Sequence, residues 1–168
     1  DDVTLEYKSE ATEVASVLSQ QADAVGLLPQ PFATVACQQN ESLKIVLNLT
    51  EEWDKVSDGS SLVTGVTIVN NDFLTEHPDA VATFMEEHRK SSEYANANVD
   101  EPAEAVAASG IIEKAPVAAK AIPYCNITYI DGADMKAKLS GYLQTLFDLD
   151  PSSVGGTLPA DDFYYLPQ

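Results

Sequence analysis

Basic residues are scarce in this chain: nine Lys and Arg stand against 27 Asp and Glu, a formal net charge of -18. The nine are scattered, whereas a nucleic-acid surface needs them clustered to neutralise phosphates, so that class is excluded. Charge-driven binding to anionic lipid is disfavoured for the same reason. The acidity reads as solubility. Cysteine occurs twice, at Cys37 and Cys125, far apart and in no CxxC or zinc-ligand spacing. Each has apolar neighbours, as in Val35-Ala36-Cys37, so two buried free thiols are expected, with a disulfide left open for an oxidising compartment. The two histidines, His77 and His88, have no Cys, Ser or carboxylate at a catalytic spacing and read as packing or surface residues. HExxH, GxSxG, a Walker loop and GxGxxG are all missing. No EF-hand spacing supports calcium. Acidic pairs such as Glu51-Glu52 and Asp161-Asp162 read as solvated faces in so acidic a chain. No stretch approaches the ~20 apolar residues of a membrane span. No signal peptide is seen, and the chain reads as beginning inside a domain. The expectation is therefore no catalytic residue, no metal and no cofactor.

What is present is a pattern of elements. Of the 168 residues, 45% are apolar, enough to bury a core. Val3, Leu5 and Tyr7 alternate with polar residues as in a strand. Ser9 then offers an N-cap, and Ala11, Val14, Ala15 and Leu18 recur at helical spacing, which predicts a helix over 9–20. Residues 22–28 form a short apolar run, read as a buried strand. Pro29-Gln30-Pro31 breaks it and opens a second helix to about Gln39. Residues 43–49 read as a third strand, 51–61 as a polar turn, and 62–69 as a fourth strand ended by Asn70-Asn71. Strand and helix alternating in this way predicts parallel α/β units. Beyond that the chain becomes mostly helical. Pro78, Pro102 and Pro116 start helices, Gly110 and Pro123 stop two of them, and Asp131 caps a long one. The tail from Pro151, with Gly155-Gly156 and Pro159, reads as irregular.

In a parallel sheet ligands bind where strands lead into helices, beside unpaired N–H groups and the positive end of the helix dipole. Two such turns occur, Tyr7-Lys8-Ser9-Glu10-Ala11 and Leu28-Pro29-Gln30-Pro31-Phe32. Ser9, Glu10 and Gln30 would point polar groups into a crevice there, or would simply cap a helix and finish a turn. The stretch from Tyr124 through Asn126 to Tyr129 joins aromatic faces to an amide, as small-molecule sites do, and reads equally as a packed connector.

Several of these segments, in order, resemble one family. They are Val3 to Tyr7, Ala11 to Ala15, Ala22-Asp23-Ala24 through Pro31-Phe32, and Asn71 to Val81 with His77-Pro78-Asp79. Residues 121–132 and Val154-Gly155-Gly156 also resemble a bacterial subgroup. The family is the solute-binding proteins of ABC importers for sulfonates, nitrate, taurine and thiamine precursors. Members are about twice as long as this chain, which would correspond to the C-terminal half. The resemblance implies a periplasmic-binding-protein-like α/β fold of type II, with two lobes closing on the ligand. Residues 1–62 would be the remainder of lobe two, and 63–168 the hinge-crossing strand and helical part of lobe one.

The function it implies is capture of a small polar or anionic molecule and its delivery to an ABC permease and ATPase. Ser9, Glu10, Ala11, Gln30, Pro31, Thr64, Asn126 and Tyr129 are the implied ligand-binding residues. The setting would be extracytoplasmic, any lipid anchor lying outside this chain. Surface left bare by the missing half would favour a homodimer of the fragment. The other readings are a sensor or interaction module that keeps the fold, and an enzyme of pyrimidine (thiamine-precursor) synthesis. The enzyme reading is weakened by the lack of the histidine and cysteine-rich motif such enzymes use.

Overall fold

The computed structural model describes residues 3–167; Asp1 and Asp2, at the start of the first expected strand, lie outside the described residues. It contains eight α-helices among those residues. They are α1 (Ala11–Gln20), α2 (Phe32–Gln39), α3 (Leu49–Val56), α4 (Asn71–Glu76), α5 (Pro78–Ala97), α6 (Asp100–Ala108), α7 (Ala115–Ala121) and α8 (Gly132–Leu149). Short 3-10 turns follow at Ile122–Tyr124, Pro151–Val154 and Asp161–Phe163.

No β-strand is formed among the described residues, and the helical structure overturns the expected α/β parallel sheet of a periplasmic-binding-protein-like fold. Of the stretches expected as strands, 3–7, 22–28 and 62–69 lie outside every helix, and 43–49 does so except for Leu49, the first residue of α3. No backbone hydrogen bond joins one of them to another among the described residues. A helix closes its hydrogen bonds within its own segment. A strand is completed only by a neighbour, and apolar alternation does not supply one.

The helices form where capping and termination signals are strong. Asn48 caps α3, its side chain accepting from the Thr50 N–H at 3.1 Å, with Glu51 and Glu52 in the first turn and Lys55 in the last. That charge order suits the helix dipole. The segment expected as a polar turn is thus largely a helix. Asn70 caps α4 by accepting from the N–H groups of Asp72 and Phe73. Gly110, at φ +76°, ends α6, and the N–H groups of Gly110 and Ile111 return to the carbonyls of Ala107 and Val106. A left-handed residue of this kind closes a helix at little steric cost.

The chain divides into two compact units. The first holds the described residues up to Val46 together with His88–Thr128; the second holds Leu47–Glu87 together with the described residues from Tyr129 onward. In the first unit α6 packs on α7 through small side chains. Ala103 and Ala118 are fully buried there with Ile122, and Val99, Val106, Ile112, Ala119 and Ile127 close around them. The Asn96 side chain ties α5 to the Ile127 carbonyl at 2.8 Å.

In the second unit the Trp53 and Tyr142 rings meet edge to face, centroids 5.2 Å apart. The Trp53 indole N–H donates to the Ser60 hydroxyl at 3.1 Å. Lys136 pairs with Asp161 at 2.8 Å and lies over the buried Tyr164 ring. No helix among the described residues is long and apolar enough to cross a membrane.

Candidate functional site

The expected ligand-binding residues fall in both units. Ser9, Glu10, Ala11, Gln30, Pro31 and Asn126 belong to the first, Thr64 and Tyr129 to the second.

The first five stand at the amino ends of α1 and α2. The chain turns after α1, where the Ala24 N–H donates to the Gln21 carbonyl. It then passes back against α1, with Gly26 beside Val14 and Leu18. A side chain at position 26 would have its Cβ 2.9 Å from both. Glycine therefore permits the close approach.

At α1 the N-cap is Glu10, in extended conformation, and not Ser9 as expected. The reason is Glu13, whose carboxylate accepts the N–H of Ser9 at 3.2 Å and of Glu10 at 3.3 Å. This is the Glu13 half of a capping box. The Ser9 hydroxyl is exposed and makes no hydrogen bond among the described residues. Beside it, Lys8 pairs with Glu6 at 2.5 Å, and that hydrogen bond holds the ammonium above its ordinary 10.5.

At α2 the Gln30–Pro31 bond is cis and Pro31 is the N-cap residue. The Gln30 side-chain oxygen accepts from the Thr34 N–H at 3.3 Å and from the Thr34 hydroxyl at 2.8 Å. Its carboxamide nitrogen keeps two donors uncommitted among the described residues. Both helix starts thus spend part of their backbone donors on their own side chains. The Ser9 hydroxyl and the Gln30 amide NH2 stay uncommitted there among the described residues, and Glu10 beside Ser9 is exposed. These groups can hold a polar guest; they contain no nucleophile paired with a base.

The other three residues are placed by local needs. Asn126 adopts φ +50°, a left-handed conformation that asparagine tolerates better than most residues. The Tyr129 hydroxyl donates to Asp131 Oδ2 at 3.0 Å, so Asp131, at the N-cap position of α8, makes no side-chain cap bond. Thr64 is exposed within the non-helical stretch before α4.

An open hollow of about 470 Å³ lies elsewhere in the first unit, against Thr34, Cys37 and Gln38 of α2, Ala119 and Lys120 of α7, and Ile45. Of the aromatic connector, only Tyr124 reaches it. The hollow is created by α2 packing on α7, some eighty positions apart, and no local pattern announces it. Both cysteines are free and half-buried. Burial pushes the Cys125 thiol up, and its sulfur donates weakly to the Ala121 carbonyl at 3.3 Å. A thiol so placed is a poor nucleophile. Among the described residues no group of three or more His, Cys, Asp or Glu is arranged to hold a metal ion.

One solved structure is similar along nearly the whole chain: that of an ABC transporter from Parabacteroides distasonis, 25% identical, with a TM-score of 0.73 over 99% of the chain. The likeness is to an ABC transporter. It agrees with the family resemblance at that coarser level. The chain spans 58% of the length of that structure. No protein-family description and no curated protein matches the chain.

Proposed function

We propose that this chain belongs to the solute-binding component of an ABC importer, which captures a small polar molecule outside the cytoplasm and passes it unaltered to a permease and its ATPase. The observation that carries the reading is the likeness, at a TM-score of 0.73 over 99% of the chain, to an ABC transporter. The amino ends of α1 and α2 support it, since they offer hydrogen-bonding groups without reactive ones.

Within the first unit, Ser9, Glu10 and Gln30 are the groups that would touch the guest, with Ala11 and Pro31 as its backbone surroundings. The carboxylates of Glu10 and Glu13 favour a neutral or cationic group beside α1 over an anionic one. Delivery to a permease requires release without chemistry, which suits hydrogen bonds of this kind.

The test is thermal melting of the chain with a panel of sulfonates, nitrate, amines and pyrimidines. A compound present at about a hundred times its dissociation constant stabilises the protein by about 2.7 kcal/mol. The expected result is a rise in Tm with an amine or a neutral polar compound, lost in a Ser9→Ala, Glu10→Gln, Gln30→Ala triple variant that melts normally without ligand. A panel that shifts nothing, or a shift indifferent to the triple variant, overturns this assignment.

A further inference from the structure

We propose that Asp58-Gly59 is a site of covalent self-modification, where Asp58 converts to isoaspartate through a succinimide and alters the surroundings of Trp53, the chain's one tryptophan. The reaction needs a carboxyl followed by an amide nitrogen that is neither shielded nor committed. Asp58 and Gly59 are both exposed, just beyond the end of α3. Neither makes a hydrogen bond among the described residues. Gly59 sits at φ +81°, and a Cβ added there would meet nothing within 4 Å, so the space beside the turn is open. In the reaction the Gly59 nitrogen attacks Asp58 Cγ and gives up its proton, a carboxyl oxygen leaves as water, and a five-membered ring closes. Water then adds to the ring. Opening at the Asp58 main-chain carbonyl routes the chain through the former side chain and frees the α-carboxylate. One water leaves and one returns, so mass and oxidation state are unchanged.

A second Asp-Gly pair, Asp131-Gly132, is held in place. Asp131 Oδ2 accepts from the Tyr129 hydroxyl at 3.0 Å. The Asp131 carbonyl accepts from the Met135 N–H at 3.1 Å, which fixes that peptide group at the start of α8. Ring closure there disturbs both bonds, so the fold selects one of two identical dipeptides. The link to Trp53 comes from how the first loop is fastened. The Ser57 hydroxyl donates to the Ser60 carbonyl at 3.2 Å, and the Trp53 indole N–H donates to the Ser60 hydroxyl at 3.1 Å. Ser60 also stands against Gly141 of α8, where an added Cβ would lie 2.7 Å from the Ser60 Cβ. Isomerisation inserts a methylene, about 1.5 Å of main chain, between these fastened points. A loop clasped three residues apart has no slack for it, so Ser60 shifts and the indole loses its acceptor. The proposal does not depend on solute capture.

The experiment incubates the full 168-residue chain in mildly acidic buffer, native and unfolded in guanidinium, and samples it over weeks. Peptide mapping separates aspartyl from isoaspartyl peptides of equal mass, and Trp53 emission is followed in parallel. The expected result is about tenfold more isoaspartate at position 58 than at 131 in the native chain, with the two sites nearly equal in the unfolded one. Trp53 emission should drift at the rate at which residue 58 converts. Asp58→Glu keeps the charge but must close a larger, slower ring. It should melt like the parent, form no product at 58 and show no drift. A native ratio no higher than the unfolded one overturns the proposal, as does a native chain in which 58 stays intact while the unfolded chain converts there. Emission that holds steady while residue 58 converts, or that drifts equally in Asp58→Glu, overturns the link to Trp53.

Discussion

Single residues set much of the local geometry, and several can be tested one at a time. Glu13 holds two N–H groups at the head of α1, so Glu13→Ala should cost about 0.5–1 kcal/mol in denaturant unfolding. A loss no larger than that of an exposed mid-helix alanine substitution would show that the carboxylate does not cap. Gly141 lies on α8 where an added Cβ would meet the Ser60 Cβ at 2.7 Å. Gly141→Ala should therefore lower stability, by about 1 kcal/mol, because overpacking outweighs the better helix propensity of alanine. A stabilised variant would mean that the Ser60 loop yields freely.

Asp150 accepts from the Ser152 hydroxyl at 2.8 Å and the Ser152 N–H at 2.9 Å. Those bonds, the hydroxyl's first, hold its carboxyl below the ordinary 3.8. The stabilisation is present above that ordinary value and is lost as pH falls through the lower folded one. An NMR titration should place Asp150 below a free aspartate, and Asp150→Asn should flatten this part of the acid limb.

At the scale of elements, the pairing of α6 with α7 is the best-defined packing in the first unit. It depends on alanine: Ala103 and Ala118 are almost wholly buried, and the helices approach closely because neither side chain holds them apart. Ala118→Leu should therefore lose about 1–3 kcal/mol, read as a lower denaturation midpoint with unchanged slope. An equal loss from Ala107→Leu, at a half-buried position outside the buried trio, would show that the contact is not special.

Helix existence was legible from α1, α2 and α5 to α8, because Pro, Gly and apolar spacing act within the segment that they define. Two signals were misread. Ser9 looked like the cap of α1, but Glu13 three positions past Glu10 draws the cap to Glu10. The polar run 51–61 looked like a turn, although Asn48 followed by Glu51 and Glu52 is a helix start, and most of α3 lies within it.

For the molecule as a whole, charge is the property most directly inherited from composition. With a net charge of -18 the compact state repels itself, and salt screens that repulsion within about 10 Å at 0.1 M. Melting temperature should rise by a few degrees between low-salt buffer and about 0.5 M sodium chloride. A flat or falling dependence would mean that pairs such as Lys136–Asp161 outweigh the general repulsion.

The candidate site divides in the same way as the fold. That Ser9, Glu10 and Gln30 stand at the starts of α1 and α2 was readable because capping and turn chemistry are local. That Gln30 spends its oxygen on Thr34, and that Glu13 fills the amides at α1, follows from side-chain positions that spacing does not specify. The hollow beside Lys120 was invisible for want of any pattern linking α2 to α7.

The amino-acid order alone determined the acidity, the scatter of the few basic residues and most helix positions, since each depends on composition or on contacts a few residues apart. Tertiary structure decided the fate of the extended stretches. Whether an alternating segment becomes a strand depends on a partner edge distant in sequence, and among the described residues no such pairing forms. The sheet expected from alternation is therefore not formed, while the helices, which complete their own hydrogen bonds, are.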